Sequence, residues 1–150
     1  MYNSNENDNP KDFVTVAMFY FQELIPYYLK IEETWSKHSK RVIRKVNYEM
    51  FIESMTSINK EIASIKLSEM EEEASEKYKK LASETKKAFL ALSDLATAFS
   101  AMITVLQYKS RGAKVSYGEY DDKVKEYQTA RKNVDLCNQS LTAELERLGY

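Results

Sequence analysis

Apolar residues recur along this chain at spacings of three and four, the pattern of helices that each bury one stripe. The most regular run is Tyr78, Leu81, Thr85, Ala88, Leu92, Leu95, Phe99, Met102 and Leu106, with Ala82, Phe89, Ala96 and Ile103 widening it. It predicts a long helix with a heptad-type seam that ends near Ser110. Ser68 with Glu71 matches a capping box, which places the start of that helix at Ser68. Such a helix is roughly 60 Å long at 1.5 Å per residue.

A second track holds Tyr117, Tyr120, Val124, Tyr127, Val134, Leu141, Leu145 and Leu148. Ser116 and Glu119 form another capping box at its start, and Gly149 is a natural stop. Arg131 and Asn138 occupy the same track, where polar residues fix register or partner choice at some cost in stability. Between the two tracks, Lys109 to Gly118 contains two of the three glycines and is the best turn in the chain. Phe51, Met55, Ile58, Ile62 and Ile65 predict an earlier helix that reaches about Leu67.

The first helix is expected from ~10 to ~36, with Asn9 as cap and Pro10 at the first helical position. Phe13, Val14, Val16, Ala17, Met18, Phe19, Tyr20 and Phe21 leave it no polar stripe. A helix apolar all round is central in the fold or lies in an oligomer interface. Pro26 falls inside it and is expected to kink or divide it, because its ring clashes with the carbonyl of Gln22. Ser36 to Lys45 reads equally as a loop or as continuing helix. Residues 1–8 are Asn-rich and expected to be disordered, which leaves 9–150 as a single domain. The fold class is all-α: an antiparallel helical bundle, or an elongated coiled coil, of about four helices.

Composition fits that reading. Three glycines and two prolines in 150 residues are fewer than the ~7% and ~5% of an average domain. One histidine and one cysteine cannot supply the roughly three or four N/S ligands of a zinc site. His38 reads as a surface residue, and Cys137 as a small buried hydrophobe. Glu69, Glu71, Glu72, Glu73 and Glu76 lack a calcium loop's glycine and a di-iron bundle's histidines, so they read as a solvated helix start. The Asn138-Gln-Ser140 sequon falls mid-helix and is discounted. With no Gly-rich phosphate loop either, no catalytic, metal or cofactor residue is assigned, and a non-enzymatic protein is expected. Tyr20, Tyr27, Tyr28, Tyr78, Tyr120 and Tyr127 fall mostly on apolar faces, where packing with a wet hydroxyl is the expectation. The polar, acidic first residues do not fit a targeting signal. The Phe13–Phe21 run stops short of the ~20 residues of a membrane span. A cytoplasmic chain, at most peripheral to a membrane, is the expectation.

Twenty-two Lys+Arg against 23 Asp+Glu leave a net charge of −1, so only the placement of charge can select a partner. With helices alternating up and down, the 36–46 and 109–118 turns share one end. That end collects Lys37, Lys40, Arg41, Arg44, Lys45, Lys109, Arg111 and Lys114. The opposite end collects Glu69 to Glu76. The basic end suits anionic phosphate groups; nucleic acid is not favoured, because no basic groove among exposed aromatics can be located in the sequence.

The segments Lys80–Ala96, Val105–Arg111 and Asp122–Arg131 carry a resemblance. Residues ~28–148 resemble the helical pattern of BAR domains of the sorting-nexin and arfaptin type. The resemblance implies a homodimer built on long kinked helices that presses basic residues onto anionic membranes. It implies a basic tip at Lys109, Arg111 and Lys114, with Arg41, Arg44 and Lys45 facing lipid. The chain is shorter than a usual BAR protomer, and the break at Ser68 gives four helices. The expected function is therefore a helical dimerisation module on anionic membranes. The alternative is a compact four-helix adaptor or regulator that works through protein–protein contact.

Overall fold

The structure, a computed structural model, describes residues 10–40 and 46–150, with side chains from residue 13 to 37 and from 46 onward. The described elements are all helical. They are α1 (Pro10–Phe19), a π-helical turn (Tyr20–Leu24), α2 (Ile25–Lys40), α3 (Tyr48–Ala63), α4 (Leu67–Glu73), a 3-10 turn (Glu76–Tyr78), α5 (Lys79–Ser110) and α6 (Tyr117–Arg147). The expectations for residues 1–9 and 41–45, including the Asn9 cap, lie outside the described residues.

Four rods result: α1–π–α2, α3, α5 and α6. Ring pairs Phe13–Tyr78, Tyr20–Phe89 and Tyr28–Phe99 rise together along the first rod and α5, so these two run parallel. Trp35 meets Phe51, while Phe19 and Ile58 share a groove, so α3 runs back against the first rod. Asn59 reaches Ser93 and Thr97, and Gln107 reaches Glu49, so α3 is also antiparallel to α5. Tyr20 pairs with Asn138, and Glu32 with Arg131, so α6 is antiparallel to the first rod. The chain is thus an antiparallel up-down-up-down bundle, the arrangement that short connections favour.

The core lies along α5. Every predicted seam residue from Tyr78 to Met102 is buried, as are Ala82, Phe89, Ala96 and Ile103; Leu106 is half-buried. On α3, Phe51, Met55, Ile58 and Ile62 are buried, and Ile65 is half-buried beyond the helix end. On α6, Val134, Leu141 and Leu145 are buried. Tyr117 departs from its predicted seam and is 82% exposed. It is the first residue of α6 and lies past the end of α5, so no partner helix reaches it.

Two expectations about the long helix are corrected. Ser68 is not a cap: α4 starts at Leu67, with Lys66 at the cap position and no capping side chain. The helix also does not continue into α5, because Ala74 and Ser75 adopt extended backbone between Glu73 and the 3-10 turn. The resulting α5 has 32 residues, about 48 Å rather than 60 Å. The second capping box is real at its serine, where Ser116 Oγ accepts the Glu119 N–H at 3.1 Å. A cap absent from the sequence reading is Asn47, whose Oδ1 accepts the Met50 N–H at 3.1 Å. Asn47→Ala should lower unfolding free energy by about 1 kcal/mol, read from the urea midpoint at unchanged slope.

Pro26 neither ends nor divides the first rod. Instead the helix widens just before it: the Ile25 N–H bonds the Tyr20 carbonyl, a π-type closure. A π turn inserts one residue into the helical repeat. The buried stripe reads Phe13, Ala17, Tyr20, Leu24 and then Tyr28. In an uninterrupted α-helix residues 27 and 28 would fall about equally far to either side of that stripe. The extra residue turns Tyr28 inward and leaves Tyr27 41% exposed. Apolar residues on the other faces of this rod, Val14, Val16, Met18, Phe19, Phe21 and Ile25, pack half-buried against the core. The apolar excess is thereby covered in part within the chain.

Candidate functional site

The α5–α6 turn is closed by its own backbone. Gly112 has φ +90°, the left-handed conformation that glycine adopts without strain. Around it the Gly112 N–H bonds Lys109 O at 3.1 Å and the Ala113 N–H bonds Tyr108 O at 3.0 Å, a Schellman motif. With the carbonyls satisfied this way, the side chains of Lys109, Arg111 and Lys114 are left exposed. None of the three has an ion-pair partner among the described residues. Tyr108, 55% exposed, and Tyr117, 82% exposed, stand on either side of them.

Gln107 Nε2 donates to Glu49 Oε2 at 3.2 Å and ties this turn to the start of α3. The 109–114 cations and the start of α3 therefore share one end of the bundle. Of the other predicted surface residues, Lys37 is exposed but ion-paired with Glu33 at 3.1 Å. The side chains of His38 and Lys40, and the residues Arg41, Arg44 and Lys45, lie outside what is described. Two exposed carboxylates, Glu119 and Asp122, follow in the first turns of α6, so the positive field belongs to the turn itself. At the other end, Glu71 pairs with Lys86 at 3.4 Å, while Glu69 and Glu76 pair with Lys66 and Lys79. Among the described residues, no group of three or more His, Cys, Asp or Glu is arranged to hold a metal ion.

A second polar cluster was not legible in the sequence. Glu32 Oε2 accepts from Tyr127 Oη at 2.6 Å, Tyr28 Oη at 2.8 Å and Arg131 Nε at 3.0 Å. Arg131 also pairs with Asp135. Burial acts to raise the Glu32 pKa, but the donors from Tyr127, Tyr28 and Arg131 outweigh it and hold the carboxyl below its ordinary value. Burial and the neighbouring Glu32 push the Tyr127 phenol up to about 12. Burial, with the neighbouring Tyr127 and Glu32, pushes Tyr28 up as well. A carboxylate saturated with donors is a poor base, and phenols held protonated are poor acids near neutrality. What the arrangement can do is set register. Arg131 and Asn138, the polar residues of the α6 seam, both face the first rod, since Asn138 Oδ1 accepts from Tyr20 Oη. That bond also engages the side chain of the discounted sequon.

Cys137 is half-buried and packs against the core, its thiol pushed up by burial and by Glu84. Glu144 is a buried carboxylate of the kind a sequence reading misses; Arg147 covers it with two bonds of 2.6 Å and holds its carboxyl below the ordinary value. The helix Glu76–Ser110 contains an 18-residue window of mean hydropathy 1.8, long and apolar enough to cross a membrane by length and composition. In the bundle it is the core helix. No family model, curated protein or solved structure matches the chain.

Proposed function

We propose that this chain is a non-enzymatic helical bundle that docks end-on to anionic membrane surfaces through the α5–α6 turn. The observation that carries this is the exposed turn itself: three cations, Lys109, Arg111 and Lys114, without ion-pair partners among the described residues, bracketed by the exposed rings of Tyr108 and Tyr117. Tyrosine favours the headgroup level of a bilayer, where its ring is half-desolvated and its hydroxyl stays wet. Each basic residue near an anionic surface adds about 1 kcal/mol, which salt screens. In the sequence, Lys40 ends α2, and Arg41, Arg44 and Lys45 fall between α2 and α3. A BAR-type mode of action would join dimerisation to this docking.

Co-sedimentation with vesicles of 30% phosphatidylserine tests the proposal. Binding should be strong at low salt, weak at high salt and absent from neutral vesicles. Arg111→Glu with Lys114→Glu should lower it at least tenfold, because two cations become anions at exposed positions where folding is indifferent. Salt-independent binding, or binding unchanged in the double variant, rejects it.

Protein–protein contact, with a second copy or another chain, is the second reading. Leu136, 61% exposed beside a shallow groove between α5 and α6, favours it. Sedimentation velocity at micromolar concentration, beside the vesicle assay, separates the two. Salt-sensitive vesicle binding that survives Leu136→Asp supports the first, and self-association dissolved by Leu136→Asp without salt-sensitive vesicle binding supports the second.

A further inference from the structure

Midway along the bundle, on the side where the first rod faces α3, the π turn borders a second groove of about 270 Å³. Its floor is apolar: Leu24 and Ile58 are buried, and Phe19 is half-buried beside them. Tyr27, turned outward by the residue that the π turn inserts, adds an exposed ring. Glu23 and Glu61 are exposed and border the same groove from opposite rods, and neither has an ion-pair partner among the described residues.

We infer that this groove binds an alkylammonium ion, an organic cation with a short apolar chain. The chain would cover Phe19, Leu24 and Ile58, and the ammonium would lie between Glu23 and Glu61 against the ring of Tyr27. Each part of the groove selects for this chemistry. Glu23 and Glu61 repel an anion, and a neutral apolar guest gains nothing from them. A cation satisfies both and gains further from the face of an aromatic ring. The groove, of about 270 Å³, has room for a six-carbon chain with its ammonium head. The site is separate from the basic turn, and its test does not depend on membrane docking.

Hexylammonium titrated into the isotopically labelled protein, followed by amide NMR, is the experiment. Saturable shifts should appear around Phe19–Tyr27 and Ser57–Glu61. Hexanol should bind at least tenfold more weakly. Glu23→Gln with Glu61→Gln, at exposed positions that leave the fold intact, should weaken hexylammonium about tenfold, or ~1.4 kcal/mol, with hexanol unaffected. Shifts that do not saturate by about 10 mM, shifts centred elsewhere, equal binding of hexanol, or an unchanged affinity in the double variant would each overturn the inference.

Discussion

Phe99→Ala is expected to remove about 3–5 kcal/mol of unfolding free energy, the usual cost of emptying a buried phenylalanine site. Phe99 is fully buried, and its ring meets a ring from each of the other three rods. Tyr28 and Trp35 approach from α2 at 6.2 and 6.3 Å, Phe51 from α3 at 6.4 Å and Tyr127 from α6 at 5.6 Å. The side chain is therefore the common contact of the whole bundle. The cavity left by alanine cannot be filled by shifting one rod without opening its contact with another. Phe99→Leu retains most of the volume and should cost about 1–2 kcal/mol. Urea unfolding followed by Trp35 fluorescence reports both. A Phe99→Ala cost below about 1 kcal/mol, well under the usual range, would mean that the four rods do not converge there.

The second large effect is at Glu32. Glu32→Ala removes the acceptor shared by three donors, among them the hydroxyl of Tyr28, which is 1% exposed. Breaking a buried pair costs about 3–5 kcal/mol. The Glu32 and Arg131 side chains are 24% and 28% exposed, so solvent screens part of this and about 2 kcal/mol is expected. The effect depends on pH with a definite sign. The Glu32 carboxyl is held below its unfolded value of 4.5. Its contribution is therefore complete above that value and is lost as pH falls through the lower, folded one. Glu32→Gln should differ most from the wild type above the unfolded value, and the two stabilities should converge as pH falls through the lowered, folded one. Parallel pH curves would show that the ionised carboxylate does not hold the first rod to α6.

The residues explain what was legible in the sequence and what was not. The α5 seam could be read because each apolar residue recurs at helical spacing and no charged residue interrupts it. Ser116 and Gly112 could be read because a cap and a left-handed turn each demand particular side chains. The break at Ala74 and Ser75 has no such signature: neither residue is Gly or Pro, and the extended backbone there is set by how α4 packs against α5. The π turn was announced by Pro26 only as a disturbance; that the disturbance would select Tyr28 over Tyr27 for the core depends on tertiary packing. Arg131 and Asn138 were visible as polar residues on an apolar track. Their partners were not, because Glu32 and Tyr20 lie about a hundred residues away in sequence and nothing local marks the pairing. The basic turn could be read as a charge cluster, but the exposure of Tyr117 could not, because the heptad track assigned it to the seam.

End-on docking is tested most directly at Tyr117. It is 82% exposed, so Tyr117→Trp places a reporter at the turn without disturbing the bundle. On addition of phosphatidylserine vesicles at low salt, the fluorescence gained over the wild type should shift to the blue. Lipids brominated near the headgroup end of their chains should quench it, and high salt should reverse both changes. A variant that sediments with the vesicles while the emission of its introduced indole stays unshifted and unquenched would contradict the account, because the protein would then be bound through some other surface.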